Sequence, residues 1–207
     1  MMEASTLALF ISTFFFVSIT PGMCMTLALT LGMSIGVRRT MWMMVGELLG
    51  VATVAIAAVI GVATIMLKVP EIFIVFKIIG ALYLAYLGIQ MWLSKGKMAI
   101  SLTPSKQQLV SAKRLLSQGF ITAVANPKGW AFMISLLPPF INSDAALAPQ
   151  LTILLAIILV SEFICMMLYA TGGKSLGLLI SKSENVRLMN RISGTLMIGV
   201  SVWLAMS

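Results

Sequence analysis

Six runs of predominantly apolar residues, about 4–35, 41–67, 71–93, 115–140, 149–173 and 188–206, take up most of the 207-residue chain. A helix crosses a bilayer with roughly 20 such residues. Inside hydrocarbon it must satisfy its own backbone groups, so each run is expected to be a membrane helix. Composition agrees: 60% of residues are hydrophobic and 10% charged, with a mean hydropathy of +1.06, against about 25% charged in soluble domains. The expected fold is an all-α integral membrane protein with six transmembrane helices. Its start, Met1-Met2-Glu3, lacks a basic segment, and no small-residue cleavage site leading into a polar sequence follows. The first run is therefore expected to be a span, not a cleaved signal.

Orientation follows from the basic residues. Eleven of the 14 fall in the first, third and fifth connections: Arg38 and Arg39; Lys95, Lys97, Lys106, Lys113 and Arg114; Lys174, Lys182, Arg187 and Arg191. Lys68 alone lies in a connection on the other side, and Lys77 and Lys128 sit within or near spans. Positive charge marks cytoplasmic loops, so the odd connections are expected inside and both termini outside, in a multi-pass protein of the cytoplasmic membrane. The net charge of +8 is accounted for by topology and calls for no nucleic acid. No soluble domain remains to carry separate chemistry, so an enzyme is not expected. Cys24 and Cys165 both lie in apolar runs, which excludes a secreted disulfide framework and a multi-cysteine zinc site.

Two runs contain helix breakers. Pro21-Gly22 interrupts the first, and Asn126-Pro127, followed by Gly129 and Pro138-Pro139, interrupts the fourth. Proline removes a backbone donor and crowds the carbonyl four residues earlier, so each site should kink or split its helix. The two prolines are 106 residues apart, about half the chain. Three spans in each half turn the second half upside down. The chain then reads as one transporter domain, 1–207, made of two inverted three-helix repeats, 1–100 and 115–207, joined by a cytoplasmic linker, 101–114, with broken first and fourth helices. Paired broken helices are how such folds present backbone groups to a substrate at midplane, whereas a lone proline kink commonly does no more than shape packing.

Four segments, Thr20-Pro21-Gly22, the run from Gly80 to Gly88, Asn126-Pro127-Lys128, and Leu137-Pro138 with Phe140, together resemble the LysE/RhtB family of amino-acid exporters. The likeness runs over nearly the whole chain in the right order. It implies a six-span inner-membrane exporter of amino acids or close derivatives, driven by the proton motive force, with no cofactor. One departure stands out. The family usually continues its first motif as Pro-Gly-Pro-Asn, whereas here Met23 and Cys24 follow Pro21-Gly22, so substrate preference does not carry over.

Ionisable residues inside a membrane cost about 2.5–3.5 kcal/mol at a helix centre, and they mark function by default. Glu47 and Glu162 fall in the second helix of each half. In a chain without histidine these carboxylates are the expected proton couplers, Glu47 having the alternative of pairing with Arg38 or Arg39. Lys128 follows the second break directly, where an ammonium would attract a substrate carboxylate, pair with Glu162, or snorkel to the surface. At the first break, the amides after Pro21-Gly22 would form a half-helix N-terminus suited to a carboxylate. The carbonyls of Ser18 or Ile19 would be free to meet an ammonium. Asn126 offers a donor and an acceptor, or simply caps its half-helix. The expected substrate site is accordingly Thr20, Pro21, Gly22, Met23, Cys24, Asn126, Pro127 and Lys128, with Lys77, Tyr83 and Tyr86 unassigned.

Glycines spaced four apart, Gly32/Gly36, Gly46/Gly50 and Gly173/Gly177, suit close helix contact, within a protomer or in a homodimer. The expected partners are an amino-acid substrate, protons and the lipid bilayer. Two competing functions share the scaffold. One is a thiol carrier, which would need Cys24 and Cys165 to meet and exchange disulfides. The other is an ion or metal exporter, for which two separated glutamates are a poor metal-ligand set.

Overall fold

A computed structural model describes residues 4–68, 70–94, 111–137, 140–142 and 145–206. The expectations for Met1 to Glu3, for most of the linker, and for Pro138-Pro139 lie outside the described residues, as does the side chain of Lys77. Regular structure in the described residues is entirely helical: α1 (Ala4–Ile19), α2 (Met23–Ile35), α3 (Val37–Lys68), α4 (Pro70–Leu93), α5 (Ala112–Val124), α6 (Pro127–Leu136), α7 (Leu147–Ser181) and α8 (Ser183–Met206). The protein is an all-α membrane protein. Val37–Gly61 and Leu147–Gly173 are each long and apolar enough to cross a bilayer, and Thr6–Ile19 with Met23–Ile35 forms a third candidate bent by 55°.

Both expected breaks fall where the sequence places them. The first separates α1 from α2 at residues 20–22, with Gly22 extended (φ −144°, ψ −172°) as the N-cap of α2. The second separates α5 from α6. Asn126 caps α6 by accepting from the Lys128 backbone N–H at 3.1 Å, and Pro127 takes the first helical position, where its missing donor costs nothing. α5 begins at Ala112, capped by the Ser111 hydroxyl, which accepts from the Arg114 N–H at 3.3 Å.

The spaced glycines divide into two roles. A Cβ on Gly46 would lie 1.9 Å from the Leu116 carbonyl oxygen, and one on Gly119 would lie 2.0 Å from that of Met43, so α3 and α5 touch backbone to backbone. Gly32 approaches Ala170 of α7 in the same way, at 2.4 Å. These contacts are internal to the chain. Gly36 and Gly173 depart from the expected contact role: nothing lies within 4 Å of a Cβ on either, and both have positive φ, +80° and +48°. Gly36 makes the corner between α2 and α3. Gly173 kinks α7, so helix continues to Ser181 where a connection was expected.

Gly46→Leu is expected to cost about 2 kcal/mol or more by overpacking and to lower the thermal midpoint in detergent by several degrees. Gly61→Leu, on the same helix with nothing within 4 Å of its Cβ, should leave the midpoint unchanged. Equal midpoints for the two variants would show that α3 and α5 do not pack this closely.

The interior has two apolar clusters. One centres on Phe10, Phe14, Phe132 and Phe140, in which the Phe10 and Phe140 rings meet edge to face at 4.9 Å. The other centres on Leu29, Met43, Leu115, Met166 and Tyr169.

Candidate functional site

A cavity of about 60 Å³ is bounded by Phe14, Val54 and Phe132 of the first cluster and Met25 of the second. That is room for a few water molecules, or for the polar end of a small solute. Its polar lining is Ser18, Thr20, Cys24, Glu47, Asn126, Lys128 and Glu162. Five helices, α1, α2, α3, α6 and α7, and both breaks therefore converge on one cavity.

Each helix contributes for a local reason. α1 ends at the first break, where the chain turns out of helical geometry and leaves carbonyls near its C-terminus to be satisfied from outside. Three partners do so. The Lys128 ammonium donates to the Val17 carbonyl at 3.2 Å, the Tyr169 hydroxyl to that of Ile19 at 2.8 Å, and the Ser193 hydroxyl to that of Phe16 at 2.9 Å. The Thr20 hydroxyl lies 2.7 Å from the same Phe16 carbonyl and also meets the Ser193 hydroxyl, its single proton serving one of the two at a time. The Ile19 carbonyl, expected to wait for a ligand ammonium, thus already holds a side chain of α7.

α2 begins on the other side of the break, and Gly22 supplies no side-chain cap. Gly22, Met23, Cys24 and Met25 line the cavity, whereas the start of α6 has the Asn126 cap. The helix start at the first break therefore lacks a side-chain cap, and that at the second has one.

Lys128 does not reach for the membrane surface. Its ammonium turns into the first break, 3.8 Å from where a Cβ on Gly22 would stand. Glu162 of α7 accepts from the Ser18 hydroxyl at 2.8 Å and lies within electrostatic reach of Lys128. Glu47 of α3 is 1% exposed. It lines the cavity with Cys24 and Glu162, near enough to Glu162 for the two carboxylates to act on each other, and its Oε2 has no hydrogen-bond partner. Arg38 and Arg39 are exposed on the first turn of α3, about 12 Å or more along the axis from Glu47. The pairing of Glu47 with them that the sequence left open is absent. A buried carboxylate oxygen without a partner is costly, and Glu47 carries one at the edge of this cavity.

Of the ten residues singled out from sequence, Thr20, Gly22, Met23, Cys24, Glu47, Asn126, Lys128 and Glu162 line this cavity. Pro21 lines a second cleft beyond the break, and Pro127 serves as the first residue of α6. Met23, in the position that departs from the usual family motif, is 54% exposed. Cys24 is buried and receives a long contact from the Asn126 amide, Nδ2 to Sγ at 3.9 Å. Tyr83 and Tyr86 are both exposed on α4, with ring centroids 6.1 Å apart, away from the cavity. Cys24 and Cys165 are free and buried on α2 and α7. Among the described residues, no group of three or more His, Cys, Asp or Glu side chains gathers to hold a metal ion.

Sequence reasoning passed over Tyr169, Ser193 and the hydroxyl of Ser18, whose carbonyl alone drew attention. Hydroxyls are common in membrane helices and carry no cost that would flag them. Only the identification of α1 carbonyls in need of donors could have prompted the search.

Residues 15–207 match the family of the LysE type translocator. The chain is 26% identical over 188 residues to the homoserine/homoserine lactone efflux protein of Salmonella typhimurium, covering 91% of this chain and 90% of that one. It is 27% identical over 198 residues to a leucine efflux protein of an Enterobacter species, covering 92% and 90%. A membrane protein of Vibrio cholerae is 27% identical over 188 residues, covering 91% and 90%. No solved structure matches the chain.

Proposed function

The chain belongs to the LysE type translocator family, and from that premise we propose that it exports an amino acid or close derivative across the cytoplasmic membrane, coupled to the proton motive force by alternating access. The observation that carries the proposal is the meeting of two carboxylates, one ammonium and an uncapped helix start in one cavity between the broken helices. That set matches what every amino acid shares. Its carboxylate would lie against Lys128 and the first N–H groups of α2, where a helix start and a cation both favour negative charge. Its ammonium would lie toward Glu47, whose Oε2 has no other partner, and Glu162.

In the proposed arrangement the six spans form two inverted repeats, with α1–α2 and α5–α6 as their first, broken helices. Packing supports this reading between whole broken helices: α3 of the first half lies on α5 and α6 of the second, and α7 of the second half lies on α1 and α2 of the first. The excess of basic residues in the odd connections supports a cytoplasmic placement for them. The aliphatic and aromatic walls of the cavity favour a neutral substrate side chain.

Efflux from cells loaded with leucine or homoserine tests the proposal. Cells making the protein should lose label several-fold faster than cells without it, and a proton uncoupler should remove the difference. Equal efflux of a full amino-acid panel in the two cell lines would overturn it, as would movement of a metal ion without any response to amino acids.

A further inference from the structure

A second cleft, about 290 Å³, lies on the far side of the first break, between α4 and α8. It is much roomier than the inner cavity and near the lower end of small-molecule sites, about 300 Å³. Thr20 and Lys128 line both spaces, so the break is the wall between them and Lys128 is common property. The wall is tied shut by the hydrogen bond between the Thr20 and Ser193 hydroxyls, which joins the break to α8.

The lining of the cleft differs in kind from that of the inner cavity. Gln90, Ser94 and Asn190 supply neutral donors and acceptors, Asn190 donating to Ser94 at 3.0 Å. Leu87, Met91 and Met197 supply an apolar floor, and no carboxylate is among the described lining residues. Gln90 and Ser94 lie at the end of α4, and Asn190 in the second turn of α8. These ends flank the third and fifth connections, whose charges mark the cytoplasmic side in the orientation proposed above.

We propose that this cleft is a second amino-acid site, an entry vestibule that takes a neutral amino acid by its carboxylate on Lys128 with its remaining polar group against Gln90 and Asn190. The inference rests on the export reading of the inner cavity. Its mechanical consequence is a transfer with one end held. The carboxylate stays with Lys128 while the ammonium leaves neutral amides on one side of the break for Glu47 and Glu162 on the other. Opening the Thr20–Ser193 contact makes the passage. The apolar floor suits an aliphatic side chain.

Two measurements test it, with leucine and homoserine as probes. Gln90→Ala and Asn190→Ala should each raise KM for uptake from the cytoplasmic face about two- to tenfold, the worth of one hydrogen bond, with Vmax nearly unchanged. Separately, Ser94→Cys in proteoliposomes should react with a maleimide, and leucine should slow that reaction while an equal concentration of an amino-acid ester, lacking the carboxylate, should not. Unchanged KM in both variants together with absent protection would overturn the vestibule while leaving amino-acid export standing. Protection by anionic phospholipid and not by leucine would overturn it in favour of a lipid site. The protection assay reads binding alone. It therefore decides the vestibule even where the parent chain exports no amino acid and the reading it rests on fails.

Discussion

Glu162→Gln is expected to abolish pH-driven accumulation of substrate in proteoliposomes while leaving substrate binding measurable. Glutamine keeps the shape of the side chain and retains an oxygen to accept from Ser18, which donates to Glu162 Oε1 at 2.8 Å. The packing of α1 against α7 therefore survives. What is lost is the ionisable carboxyl near Lys128, and with it the proton exchange proposed for this site. Each unit of pH gradient can sustain about a tenfold substrate gradient for each proton exchanged, so the parent should show an accumulation that grows with the imposed gradient. The variant should come to a ratio near one at every gradient and retain only counterflow of labelled for unlabelled substrate. Preserved accumulation would remove Glu162 from coupling. Glu47→Gln supplies the comparison: its Oε2 has no hydrogen-bond partner to lose, so a defect there reports on charge and substrate contact with little structural disturbance.

The parts of this site legible in the sequence are those with a physical cost in a bilayer. Pro21 and Pro127 remove backbone donors, Glu47, Glu162 and Lys128 bring charge into apolar runs, and each of these costs forces attention onto its position. The two breaks and both glutamates were found that way, and the helix bounds of α1–α2, 4–35, agree with the first apolar run. Contacts with no cost in the linear sequence were not legible. Tyr169 and Ser193 are 150 and 177 residues from the carbonyls they serve, and nothing in their own helices sets them apart. Gly173 was readable as a small residue suited to packing. Its actual role, a positive φ that bends α7, depends on where the two ends of that helix must go. The second cleft was hidden for the same reason: Gln90 and Asn190 become neighbours of Lys128 only once α4 and α8 pack together.

Lys128→Met is the substitution with the largest expected effect on recognition. The lysine ammonium donates to the Val17 carbonyl at 3.2 Å and lines both cavities, next to the uncapped start of α2. Methionine preserves much of the length and flexibility of the stem but removes the charge. A charge-assisted hydrogen bond to a carboxylate contributes about 1.5–3 kcal/mol, so Kd for leucine should rise roughly 10- to 150-fold. Structural damage alone would weaken every ligand in proportion. Loss of the Val17 contact does predict some, because the orphaned carbonyl costs about 1–3 kcal/mol where water cannot reach it. The distinguishing measurement is the ratio of affinities for leucine and leucine methyl ester, which carries the ammonium and side chain without the carboxylate. In the parent that ratio should favour leucine strongly; in the variant it should approach one, because leucine loses its partner and the ester never had it. A ratio that survives the substitution would place the carboxylate elsewhere, with the α2 helix start as the remaining anion-binding group. Lys128 would then be a structural brace across the first break.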